Sequence, residues 1–328
     1  MGVIASFFFG FFPMYLNALF IYWLDHYEKE PKFLLGLVFF WGAVLAAGIA
    51  FFLNTAFGVG VFMATNSESA ADFSTGAISA PLIEETMKGL AVLVIFLFAH
   101  KEFDSVLDGI VYAAVAALGF AATENAYYIY AYGFEPDSWA GLFNMVFIRV
   151  ILVGWQHPFY TAFIGIGLAL ARFQKNWGLR IFLPSLGWFI AVVLHSIHNI
   201  IASVSPGSFG LLLGTTLDWM GWSAMLLFIL IIIKKEKSLI EKLIINNPEV
   251  FHPQDQYVKS ITNFSKRIRY SIQFLGTKKS GAYAQFVKLV PELAHKVNQA
   301  KITDGLLYKD IIIDLTKKIK SSLIELNT

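Results

Sequence analysis

The sequence predicts an all-α, polytopic membrane protein with about seven transmembrane helices, its N-terminus outside and a small helical tail in the cytosol. Three observations predict this. Of the 328 residues, 57% are hydrophobic and only 15% charged, against about 45–50% and about 25% in soluble domains. Apolar stretches long enough to cross the hydrocarbon, about 20 residues each, recur along the first 233 positions. The charge divides the chain in the same place: residues 1–233 hold 8 Lys+Arg and 14 Asp+Glu, and residues 234–328 hold 17 and 9. Disulfides and thiol catalysis are excluded, because the chain has no cysteine.

The predicted spans are 3–24, 33–57, 75–99, 106–131, 149–171, 181–203 and 210–233. The first is expected to be a retained span rather than a cleaved signal, since no Lys or Arg precedes Lys29 and the positive n-region is therefore missing. Its many phenylalanines read as lipid-facing. Residues 137–148, with Trp139, Phe143 and Phe147, read as an interfacial segment, because Trp is enriched at headgroup depth. Positive residues occupy alternate connections: Lys29 and Lys32 in the first, Lys101 in the third, Arg172, Lys175 and Arg180 in the fifth, and Lys234, Lys235 and Lys237 after the seventh span. Positive loops mark the cytoplasmic side, which sets the orientation.

Two domains follow: a membrane domain over 1–233 and a basic helical cytoplasmic tail over 234–328. Asn247, Pro248 and Pro253 have linker character. Tail segments 255–275, 282–300 and 305–325 carry apolar residues at helical spacing, as at Leu307, Ile311, Leu315 and Ile319. Lys317, Lys318 and Lys320 suit attraction to anionic lipid.

Ionisable groups inside a span cost about 2.5–3.5 kcal/mol each, so those present call for an explanation. They are Glu84, Glu85 and Lys88 in the third span, Glu124 in the fourth, His157 in the fifth, and His195 and His198 with Asn199 in the sixth. At 1.5 Å per residue, Glu84, Glu124, His157 and His195 all fall about 10–12 Å from the outer ends of their spans, in one layer. Glu84 and Lys88 share a helix face, which suits an ion pair, while Glu85 points about 100° away. His195 and Asn199 share a face, as do Phe120 and Glu124. Arg149 reads as snorkelling to the interface, and Asp108 and Asp218 as interfacial. Two chemistries suit the layer. A carboxylate in apolar surroundings can serve as general base towards water, with an imidazole and a carboxamide stabilising an oxyanion. Alternatively, two carboxylates and two or three imidazoles can bind zinc with an open water position.

The strings Glu84-Glu85-Thr86-Met87-Lys88, Phe120-Ala121-Ala122-Thr123-Glu124-Asn125, His157 with Gly165 and Gly167, and His195-Ser196-Ile197-His198-Asn199 occur in this order. Together with the acidic segment Asp25–Pro31 they resemble the PrsW family of intramembrane proteases, within the wider group that includes the CAAX prenyl endopeptidases and bacteriocin-processing proteins. The resemblance covers about residues 15–233 and leaves the tail aside. It implies a multi-pass protease of the bacterial cytoplasmic membrane that acts on membrane-anchored proteins, such as an anti-sigma factor in a signalling cascade, with no nucleic-acid partner. It implies catalytic roles for Glu84, Glu85, Lys88, Glu124, His157, His195 and Asn199. Glu84 would activate the water, with Glu85 and Lys88 in support, and His195 and Asn199 would hold the oxyanion. Glu124 stands where the prenyl endopeptidases carry a histidine. A glutamate mechanism needs no cofactor; a metal-dependent one would use zinc on Glu84, Glu124, His157, His195 and His198. Two rival classes stay open from the residues alone. One is a proton-coupled transporter, which would stagger its ionisable groups across the membrane. The other is a non-catalytic scaffold that binds substrate without cutting it.

Overall fold

The computed structural model describes residues 1–99, 102–205, 207–252, 255–302 and 308–328. Lys101, Pro253 and Leu307, which entered the readings of loop charge, linker and tail periodicity, lie outside them. No strand occurs among the described residues. The helices are α1 (Gly2–Leu24), α2 (Lys32–Thr65), α3 (Glu68–Ser74), α4 (Ala80–Phe98), α5 (Val106–Tyr128), α6 (Glu135–Val146), α7 (Gln156–Arg172), α8 (Trp177–Val204), α9 (Ser208–Asn246), α10 (Val258–Ile261), α11 (Phe264–Gln273), α12 (Lys279–Ile302) and α13 (Lys309–Asn327). Among the described residues, five helical runs are long and apolar enough to cross a membrane: α1, α2, the run Val106–Arg172, α8 and α9. The protein is an all-α, multi-pass membrane protein. It divides into two compact units, Met1–Leu24 with Glu30–Phe228, and Asp25–Lys29 with Ile229–Thr328.

Helix α5 is the axis of the first unit. Its central sequence is rich in alanine and glycine, and every residue from Leu107 to Ala122 is buried. Small residues let helices approach closely where lipid supplies no hydrophobic drive, and α1, α2 and α7 all pack against α5. The α5–α7 contact is the tightest kind: a Cβ on Gly109 would run into the carbonyl of Gly165, and one on Gly165 into that of Gly109. Ser105 opens α5 with a capping box, its side chain accepting from Asp108 N at 3.1 Å while the Asp108 carboxylate accepts from Ser105 N at 2.6 Å. Three phenylalanines of α1 lie on the outside, Phe7, Phe8 and Phe12, each about half exposed, as suits lipid contact, while Phe9 and Phe20 pack edge-on against Phe143 and Trp155.

Three boundaries differ from the sequence reading. Helix α2 extends past 57 to Thr65: Gly58 and Gly60 do not end it, and Asn66, which takes the left-handed conformation (φ 51°), does. The expected span 149–171 is interrupted. The run from α5 folds back at Asp137–Ser138, where Ser138 has φ 49°, and helix resumes only at Gln156 after a break at Val153–Trp155. Pro158 then falls in the first turn of α7, where its missing N–H costs nothing, and His157 beside it is a first-turn residue rather than a mid-span one. Helix α9 continues beyond 233 through Lys234, Lys235 and Lys237 to Asn246. Its residues are good helix formers, and it stops where Asn247 Nδ2 donates back to the Leu243 carbonyl (2.7 Å) ahead of Pro248.

The second unit has its own core, with Phe251, Tyr283, Phe286, Val290 and Ile319 almost fully buried. Tyr27 from the loop after α1 joins that core, and the Arg267 guanidinium lies 5.4 Å from its ring centre. Burial, with Arg267 and Lys29 nearby, pushes the His26 imidazole down to about 4.

Replacing Gly165 by Val is expected to force α5 and α7 apart at a cost of about 1–3 kcal/mol. The detergent-solubilised variant should therefore melt below wild type when followed by tryptophan fluorescence. Gly36→Ala, with open space around its Cβ position, should melt at or slightly above wild type.

Candidate active site

Helix α4 brings three ionisable side chains into the first unit, and each is buried: Glu84 is 6% exposed, and Glu85 and Lys88 are 0%. Two tryptophans fix the rotation of this helix from either side. Trp41 donates to the Met87 carbonyl (3.0 Å), and Trp188 to Thr86 Oγ1 (3.0 Å). Around α4, helices α5, α7 and α8 present Glu124, His157 and His195.

The acid that Lys88 clamps is Glu85, not Glu84. Lys88 Nζ donates to Glu85 Oε1 at 2.5 Å, so the i,i+4 pairing with Glu84 expected from helix spacing gives way to an i,i+3 pair. The reason lies across the helix interface. Glu85 also accepts from Thr161 Oγ1 of α7 (2.8 Å) and from His195 Nδ1 of α8 (3.0 Å). The donors gather on that side of α4, and the Lys88 ammonium follows. It lies 4.6 Å from the Phe120 ring centre as well, an arrangement that favours a buried cation.

These contacts settle the imidazole protons by hydrogen-bond logic. An ammonium can only donate, so His157 Nδ1, 3.3 Å from Lys88 Nζ, accepts. Its Nε2 then carries the proton and donates to Glu124 Oε2 at 2.8 Å. A carboxylate can only accept, so His195 Nδ1 carries the proton that Glu85 receives. That leaves His195 Nε2 with a free lone pair, 3.9 Å from Glu84 Oε2.

Arg149 does not snorkel. Its Nη2 donates to Glu124 Oε2 at 2.5 Å, its Nε donates to Asn125 Oδ1 at 3.1 Å, and it stacks 4.4 Å from the Tyr128 ring centre. Glu124 supplies the counter-charge that keeps the guanidinium inside. Asp218 is turned inward as well. It is buried, accepts from the Tyr160 hydroxyl at 2.7 Å and lies 2.8 Å from His198 Nδ1. His198 is thereby directed to Asp218. Asn199 donates from Nδ2 to the Gly76 carbonyl at 2.8 Å.

Beside Glu85 and Glu124, Glu84 is the exception. Its Oε1 accepts from Asn54 Nδ2 at 3.5 Å, and its Oε2 is buried without a hydrogen-bond partner among the described residues. Asn54 is held in turn, its Oδ1 accepting from Ser79 Oγ at 2.8 Å. Glu84, Glu124, His157, His195 and Asn199 all line one cleft of about 830 Å³. Gly48, Phe51 and Tyr127 form part of its apolar wall. Glu85 and Lys88 lie behind the wall.

Glu84, His157 and His195 each offer a ligand atom, and these atoms lie within 4.8 Å of one another. One carboxylate and two imidazoles is a donor set that catalytic zinc accepts, so the residue types present fit a metal ion; His157 would have to release Lys88 or Glu124 to offer it a nitrogen. Glu124 and His198 fall outside this group of three. Asn54, Thr161 and Tyr160 were not expected at the site. Asn54 had a signal in the sequence, as a lone carboxamide in an apolar span, and Thr161 another, at i+4 from His157. Tyr160 had none that distinguishes it from an ordinary core aromatic.

The family model described as PrsW family intramembrane metalloprotease matches residues 30–233. The chain is 28% identical over 182 residues to Protease PrsW of Bacillus subtilis (strain 168), an alignment that covers 56% of this chain and 75% of the relative. It is 30% identical over 154 residues to Protease PrsW of Geobacillus kaustophilus (strain HTA426), covering 47% and 61%. Against Protease PrsW of Clostridioides difficile (strain 630) it is 27% identical over 192 residues, covering 58% and 76%. No solved structure matches the chain.

Breaking the buried pair from one side should cost about 3–5 kcal/mol, since a charge is left uncompensated. Lys88→Met is therefore expected to melt well below wild type. The double variant Glu85→Gln/Lys88→Met should recover part of the loss, as read from a double-mutant cycle of thermal midpoints.

Proposed function

The chain belongs to the PrsW family of intramembrane metalloproteases, which makes it a membrane peptidase of a bacterial membrane, and on that footing we propose that it cuts membrane-anchored proteins with a water activated by Glu84. One observation carries this reading: the Glu84 carboxylate faces the cleft with an unpartnered Oε2, 3.9 Å from the free lone pair of His195 Nε2. Every other acid of the cluster is already engaged by cations or imidazoles. A water molecule placed between Glu84 Oε2 and His195 Nε2 meets two acceptors, so both of its protons are directed and its oxygen lone pair is left for attack.

The steps balance with these residues. Glu84 takes one proton from water as the oxygen adds to the scissile carbonyl. The oxyanion is met by the second N–H of the Asn199 carboxamide, whose first N–H is spent on Gly76, while His195 Nε2 accepts from the added hydroxyl and takes its proton as the product acid ionises to the carboxylate. Glu85 holds the imidazolium at Nδ1. Glu84 then gives its proton to the leaving amine as the C–N bond breaks. His157, held between Lys88 and Glu124, positions the acidic wall of the site. If a zinc ion is bound, Glu84, His195 and a His157 freed from Lys88 or Glu124 would hold it, and it would supply Lewis-acid polarisation of the carbonyl and acidification of water. The donor triad supports this second reading.

The wider layout belongs to the same proposal. Residues 1–233 serve as the protease domain, and 234–328 as a basic cytoplasmic tail. The number of crossings rises from five to seven when α4, with its charged trio, and the folded-back run Val106–Arg172 each contribute one more. With positive loops inside, the N-terminus lies outside and the site lies in the outer half of the bilayer. The expected cut is then close to the extracytoplasmic juxtamembrane region of the substrate, as suits first-stage cleavage of a membrane-bound anti-sigma factor.

Purified enzyme co-reconstituted with single-span substrates provides the test. Glu84→Gln should lower cleavage by about 10²–10⁴-fold, the usual worth of a general base. His195→Ala should lose activity comparably. Wild-type-like cleavage by both variants would sink the mechanism. Cleavage that survives a strong chelator favours the glutamate route; loss with the chelator and recovery with zinc moves the same residues into a metal site.

A further inference from the structure

The cleft that holds Glu84 shares a wall with a second cavity. Arg149, His198 and Ala202 line both the main cleft and a separate chamber of about 230 Å³. At about 30 Å³ of liquid per molecule, that volume has room for several waters. Its lining is more apolar than polar, and the groups able to hold water are concentrated at four residues. Arg149, His198, Ser205 and Thr215 all contribute to its lining, and Thr215 Oγ1 is buried without a hydrogen-bond partner among the described residues.

Its extent follows from helix geometry. His198 and Ser205 are roughly seven residues apart, about 10 Å along α8, and Ser205 is where α8 ends. The chamber therefore reaches from the level of the reacting groups to the turn between α8 and α9. At its inner end His198 Nδ1 faces Asp218, which also takes the Tyr160 hydroxyl, and the Tyr160 ring stacks on His195 at 5.4 Å and 25°. The proposed mechanism assigns no task to His198, Asp218 or Thr215.

Hydrolysis consumes one water per bond cut, and a peptide seated in the main cleft covers Glu84 from that side. We propose that the Arg149–His198–Thr215 chamber is a water site and delivery route, which supplies the hydrolytic water to Glu84 from the α8–α9 turn while substrate fills the main cleft. The proposal rests on the proteolytic reading of the Glu84 site and adds a second, dedicated compartment to it.

The absence of cysteine makes a single introduced thiol a unique reporter. In folded, detergent-solubilised protein, Thr215→Cys should react with a positively charged, membrane-impermeant methanethiosulfonate. Leu212→Cys, on the exposed apolar side of α9 at 66% exposure, should be shielded by detergent. Thr215→Phe and Gly214→Leu, which fill the chamber without lining the main cleft, should lower kcat about ten-fold or more at unchanged KM, whereas Thr215→Ser retains wild-type kcat. Thermal midpoints ensure that only folded variants are compared. A Thr215→Cys thiol that reacts only after denaturation overturns the hydrated chamber. Full kcat in folded Thr215→Phe and Gly214→Leu overturns delivery. Labelling is read without substrate, so a wild type that cuts nothing would count against the proteolytic reading alone.

Discussion

Everything at the centre of this protein depends on the saturation of one buried carboxylate. Glu85 accepts from Lys88, Thr161 and His195 at 2.5, 2.8 and 3.0 Å, so helices α4, α7 and α8 are tied at one point. A buried charge is tolerable only when paired and hydrogen-bonded, and this one is fully so. The same donors then propagate outward. Lys88 fixes the acceptor nitrogen of His157, His157 donates to Glu124, and Glu124 retains Arg149. Two cations balance two carboxylates, Lys88 with Glu85 and Arg149 with Glu124. Glu84 is the acid left over. The network thus separates two adjacent glutamates into a structural one and a free one.

Such a network needs helices that approach closely and cannot rotate. The alanine- and glycine-rich α5 provides the first condition, with backbone-to-backbone contact at Gly109 and Gly165. The indoles of Trp41 and Trp188 provide the second, holding α4 from two sides. The interruption before α7 matters in the same way. It places His157 in the first turn of a new helix, so the imidazole enters the site from a helix end rather than from mid-span.

The all-helical, membrane-spanning character was legible in the sequence because apolar run length is a direct consequence of the bilayer as solvent. The cluster of Glu84, Glu124, His157 and His195 was legible for a related reason: charge inside a span is costly, so each instance stands out against its surroundings. The pairings within the cluster were not. Helix spacing favours Glu84 with Lys88, but Thr161 and His195, distant in sequence, decide in favour of Glu85. Arg149 was misread, and the inward partner of Asp218 missed, because position along a span does not reveal a partner on another helix, and each has one in Glu124 and Tyr160. The extension of α9 past its lysines was hidden for the opposite reason. A change in composition marks where the membrane ends, whereas a helix of Lys, Glu, Leu and Ile continues until Asn247 and Pro248 stop it.

The asymmetry between the two neighbouring glutamates is the central claim, and the thermal midpoints of Glu84→Gln and Glu85→Gln, measured side by side in detergent, test it most directly. Removing the charge of Glu84 deletes a buried carboxylate with one long hydrogen bond, so that variant should melt at or above wild type. Glu85→Gln leaves one acceptor oxygen for three donors, sets an NH2 against at least one of them and leaves Lys88 buried without its counter-ion, so that variant should melt several degrees lower. The reverse order, with Glu84→Gln the destabilised protein and Glu85→Gln unaffected, would contradict the account.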